Sequence, residues 1–586
     1  MPEKTSKTRK SRDRLRTLGD QIQASDSSNR SASEVRLAAL GDEIKRSSSS
    51  AGRGRRGTTR RGRSRRRTWL RRGVLIGLAT LVVLVSGGAG YTYYLAHDLN
   101  RTQVNGLQGA FGSGAEAGTE NILMVGSTSR CALTVQNAAY GLCSQGVNGV
   151  NSDVMMVLHV DPAHHRLALL SIPRDLFVPN ARSSGANKID TGLFQGMSQV
   201  VASIEEDFGI PIQHAVSLNF DQFANIVDAL GGINMSFPES VFDAESGLNV
   251  QAAACVHLDG TQALQVVRAR HLQYQDDSTS IYASDWPQEA QSDLARIRRD
   301  HEFLRVLASA VAKQNLADPI SDLDLINSVK SDLTFDQSWS VSDMADLVLD
   351  FHSISVNAVP QLTLPVAEVS DPDGDDGDLI YDGASYGEVE FPVESADQAV
   401  IDQVLGIAPD VDSMTGSPLP ADASVTVSVE NGSGAYDQAS DTADALAALG
   451  FHTVGVGDVT STGDVAETVV YYGSRAPADE AAAEAVDRSM TGSVLMAYDP
   501  SQVADGAQVT VVTGSQLAVN APPTSTSTSG TGVSSAAAPP SGTQPAATSS
   551  AAIGAPSASN PALAPWDPRA CAPGAVPTAP VPNRVY

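Results

Sequence analysis

The stretch NSDVMMVLHVDPAHHRLALLSIPRDLFVP, residues 151 to 179, carries the strongest indication of the fold class. Its two apolar runs, Val154–Val160 and Leu167–Ile172, have the length of β-strands and are close enough to pair as a hairpin. An earlier run, Ile122–Val125, predicts another strand. Because such runs alternate with helix-like segments from residue 119 to residue 365, the sequence predicts a mixed α/β domain.

The charge of the 586-residue chain changes sharply along its length, so several regions are expected. Residues 1–72 hold 22 Lys and Arg against 7 Asp and Glu, a net charge of +15, whereas residues 73–586 hold 18 against 60, a net charge of −42. The basic segment is rich in Arg, Ser and Gly and has almost no aromatic residues. It cannot bury enough apolar surface to offset chain entropy, so we predict that it is disordered.

An uncharged segment of 24 residues, Gly73–Ala96, separates these two regions. At 1.5 Å per residue, a helix of this length crosses a hydrocarbon layer about 30 Å thick. Aromatic rings at both ends suit the headgroup level, and the arginines before it place the N-terminus in the cytoplasm. We predict a single transmembrane helix in the cell membrane, with everything after residue 97 outside. A cleaved signal peptide is the alternative, but the 72-residue tail is too long for one.

The arginines of residues 1–72 also suggest nucleic-acid binding. An Arg-rich run directly beside a membrane span is more often an orientation signal and a contact for anionic lipid. We therefore expect membrane lipid as a partner and no nucleic acid.

The rest of the chain divides by composition. The acidic stretch DPDGDDGD, residues 371–378, is similar to a calcium loop but lacks the glutamate at the twelfth position of an EF-hand, so we interpret it as linker. Beyond residue 520, Pro, Ser, Thr and Ala dominate, which is typical of a disordered tail. The predicted regions are a disordered tail (1–72), a membrane helix (73–96), a linker (97–118), the mixed α/β domain (119–365), an acidic linker (366–421), a small α/β domain (422–515) and a second disordered tail (516–586).

All four cysteines fall after the predicted membrane helix, where disulfides can persist. Four cysteines allow three pairings. Cys131 and Cys143 bracket one Gly/Asn-rich loop and are the favoured bridge, whereas Cys571 lies in the predicted tail and could remain unpaired. The spacing of the four, Cys255 included, suits no zinc site, so we interpret them as structural.

Lysine and arginine are scarce after the membrane segment, with 18 in the last 490 residues, so their grouping is informative. Arg268 and Arg270 follow one helix signal, and Arg296 and Arg299 border one flank of the next predicted helix. Convergent arginines without an equal set of nearby acids require an external anion, and bidentate guanidinium binding favours pyrophosphate. Ordinary ion pairs are the alternative. Arg298 falls on the other flank, and we interpret it as a surface charge.

A second group of charges lies at the strand ends of the quoted stretch. Asp153 begins one strand, Arg174 and Asp175 follow the next, and Lys188 comes shortly afterwards. A carboxylate such as Asp153 can hold Mg²⁺ against phosphate oxygens. Asp175 can orient or deprotonate an attacking hydroxyl. A structural turn at Arg174 and Asp175 is the alternative.

Seven motifs follow one another in the mixed α/β domain. They are NILMVGS (121–127), NSDVMM (151–156), SIPRDLFVP (171–179), NKID (187–190), LNFDQFANIVDALGGI (218–233), LDGTQALQVVRARH (258–271) and DLARIRRDHEFL (293–304). In this order they closely resemble the LytR-CpsA-Psr family over roughly residues 119 to 365. The unit at 422–515, which opens VSVENGSG at residue 427, is similar to the small C-terminal domain that often accompanies the family in actinobacteria.

The resemblance implies a phosphotransferase that moves a polyprenyl-pyrophosphate-linked glycopolymer, with arabinogalactan as the candidate polymer, onto peptidoglycan through a phosphodiester. It also implies Mg²⁺ or Mn²⁺ as cofactor, an apolar tunnel for the polyprenyl chain, and pyrophosphatase activity as a side reaction. The implied catalytic residues are Arg174, Asp175, Arg268, Arg270, Arg296 and Arg299, with Asp153 as metal ligand and Arg130, Lys188, Asn219 and Asp293 in substrate binding.

The sequence departs from the family pattern at three positions. Thr128 stands where the family often has an acidic residue, Asn151 replaces a common Arg, and Asn219 replaces an Asp. These changes remove a candidate metal ligand, so the alternative is a non-catalytic scaffold that binds polyprenyl phosphate or wall polymer. A transcription regulator would need a cytoplasmic DNA-binding fold, and the only cytoplasmic segment predicted is the disordered basic tail.

Overall fold

The structure is a computed structural model, and it describes the residues that follow. They are 99–109, 118–127, 150–276, 280–290, 292–313, 333–351, 353–368, 378–381, 383–460, 467–515, 517–520 and 562–585. Within these ranges, no helix is long and apolar enough to cross a membrane. The predicted membrane segment, residues 73–96, lies outside them.

The described elements are strands β1 to β26 and helices α1 to α8. The strands are β1 (Asn100–Thr102), β2 (Glu120–Ser127), β3 (Ser152–Asp161), β4 (Arg166–Ile172), β5 (Phe177–Arg182), β6 (Gly185–Lys188), β7 (His214–Asn219), β8 (Ile233–Phe237), β9 (Val241–Asp243), β10 (Leu248–Val250), β11 (Ala253–Leu258), β12 (Gln273–Tyr274), β13 (Thr334–Asp336), β14 (Gln361–Thr363), β15 (Val366–Glu368), β16 (Ile380–Tyr381), β17 (Ala384–Ser385), β18 (Glu390–Pro392), β19 (Thr426–Asn431), β20 (His452–Asp458), β21 (Thr468–Tyr472), β22 (Met490–Gly492), β23 (Val494–Tyr498), β24 (Val509–Thr513), β25 (Leu517–Val519) and β26 (Arg569–Ala570). The helices are α1 (Met197–Phe208), α2 (Phe220–Ala229), α3 (Gly260–Arg268), α4 (Ser292–Lys313), α5 (Val341–Phe351), α6 (Ala396–Leu405), α7 (Gln438–Leu449) and α8 (Pro477–Asp487).

A seven-stranded mixed sheet forms the centre of the first domain, in the order β1-β13-β7-β2-β3-β4-β14. Strands β2, β3 and β4 are antiparallel neighbours, whereas β7 joins β2 and β14 joins β4 in parallel. The predicted hairpin is confirmed, since β3 and β4 contain Val154–Val160 and Leu167–Ile172. The predicted mixed α/β architecture is therefore confirmed.

The two faces of this sheet carry separate apolar cores. Because side chains alternate across a strand, Leu123 and Val125 lie on one face and Met124 on the other. Leu123 and Val125 are buried in the first core, which includes residues of α1 and α6. Met124 packs on the second face, where α5 and Trp339 cover part of the sheet. The rest of that second face borders the candidate site.

A smaller unit, made of helices α2, α3 and α4 with strands β8 to β11, lies beside the second face. Its core joins Val227 of α2, Met235 of β8, Val266 of α3 and Phe303 of α4. Strands β8 and β11 pair antiparallel within it. This unit holds the helices that carry the predicted arginines.

The interval from 366 to 421 is not the predicted linker where the structure describes it. Strand β15 pairs antiparallel with β18, and α6 places Val400, Ile401 and Val404 in the first core. The prediction is wrong because the acidic residues 371–378 dominated the composition. Some twenty residues later the sequence has an apolar stripe at helical spacing, which the average composition of the interval does not reveal.

The predicted second α/β domain is confirmed. A five-stranded sheet, in the order β20-β19-β24-β21-β23, packs with α7 and α8 around its own apolar core. One residue of this domain, Leu495 of β23, is buried in the first core of the neighbouring domain. The two domains therefore share a packed boundary.

The end of the chain also differs from the prediction. Residues 562–585, which we call the C-terminal strap, lie against the first domain, where β26 pairs antiparallel with β8. Trp566 stacks on Tyr274 with ring centroids 3.7 Å apart. Cys571 forms a disulfide with Cys255. The prediction that all of 516–586 is disordered is thus wrong for the strap, and Cys571 is paired, because the low-complexity composition ends before Trp566.

Candidate active site

Charged residues collect at one end of the β3–β4 hairpin. In the antiparallel register, Met155 lies opposite Ile172. The positions two residues further out are Asp153 and Arg174, so the register brings these two side chains together. Arg174 donates a hydrogen bond from Nη1 to the Asp153 carboxylate. The pair is the first element of a larger cluster.

Arg174 also lies among two further carboxylates. Its Nε is 3.4 Å from Oδ2 of Asp175 and 3.6 Å from Oδ1 of Asp293, which lies in the first turn of α4. Burial disfavours the charged guanidinium, but Asp153 and the other acids more than offset it and raise the pKa of Arg174 above its ordinary value. Arg174 is therefore a permanently charged centre that ties the hairpin to α4.

Asp175 and Asp293 connect three more cations to this centre. Asp175 is 3.1 Å from Nζ of Lys188, at the end of β6, and 3.1 Å from Nη2 of Arg270. Asp293 is 3.4 Å from Nε of Arg270 and 2.9 Å from Nη2 of Arg296. We call the whole set the ion-pair cluster, and its members are Asp153, Arg174, Asp175, Lys188, Arg270, Asp293 and Arg296.

The acids of this cluster nearly balance its bases, with three carboxylates for four cations. The expected excess of cations over acids therefore amounts to a single charge within this cluster. The sequence did not show these ion pairs, because Asp153, Asp175 and Asp293 lie far from Arg270 along the chain and meet it only in the folded structure. An arriving phosphate would have to share these arginines with their carboxylate partners.

An apolar cavity of about 240 Å³ adjoins the ion-pair cluster. Its walls are apolar side chains of the sheet's second face and of α2, α3 and α4. Two members of the cluster, Asp153 and Arg296, also line this cavity, so the charged and apolar parts form one continuous site. The apolar lining includes Met124, Met156, Leu218, Phe223, Leu264 and Phe303.

Asp300 is a lining residue that the sequence analysis missed. It follows Arg296 by four positions on α4, which places both on one helix face, and its Oδ2 lies 4.0 Å from Nε of Arg296. Among the described residues, neither carboxylate oxygen of Asp300 has a hydrogen-bond partner. Burial raises the pKa of Asp300 to about 8, with Arg296 opposing the shift. The available signal was the four-residue spacing from a predicted site arginine.

Arg268 and Asn219 lie at the cavity wall as well. Arg268 ends α3, and its guanidinium lies 4.7 Å from the ring centroid of Phe220. The Asn219 side chain accepts a hydrogen bond of 3.0 Å from the backbone N–H of Gln222, and the Gln222 side chain accepts one of 2.7 Å from the N–H of Asn219. This capping box starts α2. Asn219 thus has a structural role besides its place in the site.

The expectation that Arg296 and Arg299 share one cleft is wrong. Arg299 is fully buried away from the cavity, where it donates to Glu289 and lies 3.4 Å from Asp567 of the C-terminal strap. Arg298, expected to be a surface charge, binds the same two acids at 2.5 and 2.6 Å. The sequence could not reveal these pairs because Asp567 is 268 positions away from Arg299.

Asn151 has a defined partner. Its side-chain amide donates a 3.0 Å hydrogen bond to Asp190. Burial raises the pKa of Asp190 to about 7, against the attraction of Arg174. Asn151 therefore fixes a buried acid behind the cluster. Arg130, Thr128, Cys131 and Cys143 lie outside the described residues.

Two carboxylates that line the cavity suit a divalent cation, although they do not form a complete set of ligands. The described part of the chain contains no group of three or more His, Cys, Asp or Glu side chains arranged to hold a metal ion. Mg²⁺, however, often uses only one or two carboxylates, together with substrate phosphates and water. Asp153 and Asp300 line the same cavity, and the oxygens of Asp300 lack hydrogen-bond donors among the described residues. These two carboxylates are the ones that fit such an ion.

Sequence comparison finds two protein families that match the chain. Residues 91–392 match the LytR_cpsA_psr family. The chain belongs to this family. Residues 424–516 match a second family, described as LytR cell envelope-related transcriptional attenuator. The resemblance drawn from the motifs is confirmed for both domains.

Relatives in the LytR_cpsA_psr family carry names from cell-wall assembly. LcpB of Corynebacterium glutamicum, a probable cell wall biosynthesis protein, is 32% identical over 260 residues, which span 44% of this chain and 56% of that protein. TagU of Halalkalibacterium halodurans, a polyisoprenyl-teichoic acid–peptidoglycan teichoic acid transferase, is 25% identical over 230 residues, 37% of this chain and 70% of that protein. A LytR-Csp2A-Psr enzyme from Actinomyces oris shares 25% identity, with a TM-score of 0.37 and coverage of 48% and 91%.

Proposed function

We propose that this protein is a phosphotransferase that joins a polyprenyl-pyrophosphate-linked glycopolymer to a hydroxyl of peptidoglycan through a phosphodiester, breaking the pyrophosphate bond and releasing polyprenyl phosphate. One observation carries the proposal: the ion-pair cluster and the apolar cavity share Asp153 and Arg296. A polyprenyl pyrophosphate has the same two parts, an anionic head joined to a hydrocarbon chain. The wall-assembly names of the family members support the class of reaction, and arabinogalactan is the polymer we propose to test first.

In this proposal the arginines neutralise the pyrophosphate. Arg268 and Arg296 line the cavity and are placed to contact phosphate oxygens. Arg174 and Arg270 supply positive charge from the adjoining ion-pair cluster. Preorganised cations stabilise charge that develops on the leaving phosphate without reorganising during the reaction. Asp175 is held by Lys188 and Arg270, each at 3.1 Å, so it is fixed in place to orient the acceptor hydroxyl.

Asp153 and Asp300 would hold the divalent cation, Mg²⁺ or Mn²⁺. When bound, the ion would neutralise phosphate oxygens and act as a Lewis acid there. The carboxylate of Asp153, now bonded to Arg174, would be shared with the ion. This arrangement would leave Arg174 more available to the substrate. Residues 73–96 are proposed to anchor the chain in the membrane, with the two domains on the outer side, where lipid-linked polymer and peptidoglycan meet.

The test is turnover of a short polyprenyl pyrophosphate by purified protein spanning residues 97–586, with and without Mg²⁺. We expect metal-dependent cleavage of the phosphate linkage, lost in Arg268→Ala. Arg305→Ala is the matched control, because Arg305 lies on α4 outside the cavity and pairs with Glu302 at 2.5 Å. Equal activity of the wild type and Arg268→Ala would contradict the assignment.

A non-catalytic scaffold is the second candidate. The observation in its favour is that the acids of the ion-pair cluster already satisfy most of its bases. A scaffold would bind polyprenyl pyrophosphate tightly without turnover at any Mg²⁺ concentration. Binding measured alongside turnover therefore separates the two candidates.

A further inference from the structure

A second, polar cleft of about 560 Å³ lies between the two domains. One wall is the β5–β6 hairpin with α1 of the first domain. The other wall is β21, β23 and the loop that follows β23 in the C-terminal domain. Ligand sites occur preferentially at domain boundaries, and a volume of this size falls within the usual range for them.

Arg475 spans this cleft. From the C-terminal domain, its Nε donates a 2.7 Å hydrogen bond to the Glu206 carboxylate on α1, and its guanidinium lies 3.8 Å from the ring centroid of Tyr498. Asn180 of β5 donates to the other oxygen of Glu206 at 3.1 Å. Arg475 and Glu206 therefore neutralise each other, and their ion pair joins the two walls of the cleft.

Glu467 supplies an independent indication of a ligand. It is only 5% exposed and lines the cleft, yet within the described residues its Oε2 has no hydrogen-bond partner. Burial raises the pKa of Glu467 well above its ordinary value. A buried polar atom without a partner is costly, and a ligand hydroxyl at this position would satisfy it.

The balance of charge argues against an anionic ligand. The lining contains two cations, Arg182 and Arg475, against the three carboxyl groups of Glu206, Glu467 and Asp499. A phosphate group would meet no excess of positive charge here, in contrast to the ion-pair cluster. Hydroxyl and amide groups make up much of the remaining lining, together with tyrosine rings. Such a surface matches the many hydroxyls and apolar C–H faces of an uncharged sugar.

We propose that this cleft binds an uncharged stretch of wall glycan. The cleft lies at the far end of the β5–β6 hairpin from Asp175, because Phe177 and Lys188 pair at the site end and Arg182 and Gly185 pair at the cleft end. A six-residue strand spans about 20 Å, and the cleft lining begins at Pro179 and Ala186, so the glycan would lie within about 20 Å of the cations of the site. Its role as the acceptor-binding subsite rests on the proposed function, whereas the binding itself does not.

Calorimetric titration of purified residues 97–586 with an N-acetylglucosamine tetramer and, separately, a galactose tetramer tests the cleft. These two probes distinguish peptidoglycan-like glycan from neutral polysaccharide. We expect at least one to bind, with inorganic pyrophosphate unable to compete. Tyr498→Ala should weaken binding at least tenfold, because aromatic contacts dominate such sites. Glu467→Ala should weaken it about fivefold, because it removes the buried carboxyl group and its hydrogen bond to the ligand.

Two further variants keep the test decisive if Tyr498→Ala fails to fold. Ala202→Trp grows a side chain from the half-buried surface of α1 into the cleft, and it should abolish binding. Tyr436→Ala, at a residue that is 92% exposed and outside the cleft, should bind like the wild type. The proposal is overturned if neither tetramer binds at millimolar concentration, or if Ala202→Trp binds unchanged. Lipid-pyrophosphate cleavage in Ala202→Trp reports separately on the proposed function, since Ala202 does not touch that site.

Discussion

Arg268 and Arg299 show how one residue type serves two purposes in this protein. Arg268 borders the cavity beside the ring of Phe220. Arg299 is fully buried and holds Glu289 and Asp567 together. Arg268 faces a cavity, so its removal should affect activity. Arg299 compensates buried charge, so its removal should affect stability.

We predict that Arg299→Ala lowers the free energy of unfolding by about 3–5 kcal/mol, since the two buried carboxylates of Glu289 and Asp567 lose one of their two arginine partners and keep only Arg298. Arg268→Ala should change it by less than about 1 kcal/mol, because the Arg268 side chain borders a cavity and is not packed in a core. Urea unfolding of both variants measures the difference. Equal stability of the two variants would show that Arg299 is not a structural residue.

Glu205 should make stability depend on pH. Its carboxylate accepts hydrogen bonds from the N–H of Ile212 at 3.0 Å and from Gln108 at 3.3 Å, but burial raises its pKa from 4.5 to about 7. The folded chain therefore binds the proton more tightly than the unfolded chain, so this group loses stabilisation as pH rises from about 4.5 to 7.

Glu205→Gln cannot titrate, so the stability of the variant relative to the wild type should increase over this range. The increase should be at most about 3 kcal/mol, given 1.36 kcal/mol per pKa unit. Unfolding in urea at pH 5 and at pH 8 measures it. A difference that stays constant with pH would place the pKa of Glu205 at its ordinary value.

The members of the ion-pair cluster could be predicted from the sequence, but their pairing could not. Asp153, Arg174 and Asp175 stand at the ends of two strands that the apolar pattern identifies. That pattern carries no information on which distant acid meets which arginine. Asp300 shows the same limit: its four-residue spacing from Arg296 is visible in the sequence, but its burial beside the cavity is not.

Asn219, which caps the start of α2, allows a structural role to be distinguished from a chemical one. We predict that Asn219→Ala costs about 1 kcal/mol of stability, because it removes the side-chain half of the capping box. Asn219→Asp should keep the cap, since aspartate caps equally well. If Asn219 only caps, the aspartate variant keeps full turnover. If turnover falls while stability holds, the amide itself contacts the substrate.

The C-terminal strap should stabilise α4 through its disulfide. The strap brings Asp567 to Arg298 and Arg299, and α4 also carries Asp293, Arg296 and other site residues. We predict that Cys571→Ser lowers stability by about 2–4 kcal/mol. Thermal unfolding of the variant should match that of the reduced wild type. A wild-type melting temperature that reductant leaves unchanged would contradict this role.

The strap and α6 also show the limit of reading elements from composition. Both follow long stretches of acidic or low-complexity sequence, and average composition assigned them to a linker and a tail. Their apolar residues are few, yet each meets a surface of the first domain that lacks its own cover, as Trp566 does on Tyr274. Such docking depends on the rest of the fold, so a local pattern such as the apolar stripe of α6 predicts the helix but not the surface that it covers.

At the scale of the whole molecule, the two domains should unfold as one. Leu495 of the C-terminal domain is buried in the first core, and Arg475 bonds Glu206 across the boundary. Ser413, from the interval between the two domains, contacts both: its hydroxyl donates a 2.5 Å hydrogen bond to the carbonyl of Gly209, and its backbone N–H donates to Glu484 of α8 at 3.2 Å. Leu495→Ala should leave a cavity that costs about 2–5 kcal/mol. Because the cavity lies at the shared boundary, hydrogen exchange should accelerate in both β2 and β21.

Leu446→Ala, in the separate core of the C-terminal domain, is the matched control. If Leu495→Ala accelerates exchange in β21 alone, the domains are independent, and the cleft between them cannot be a fixed binding site.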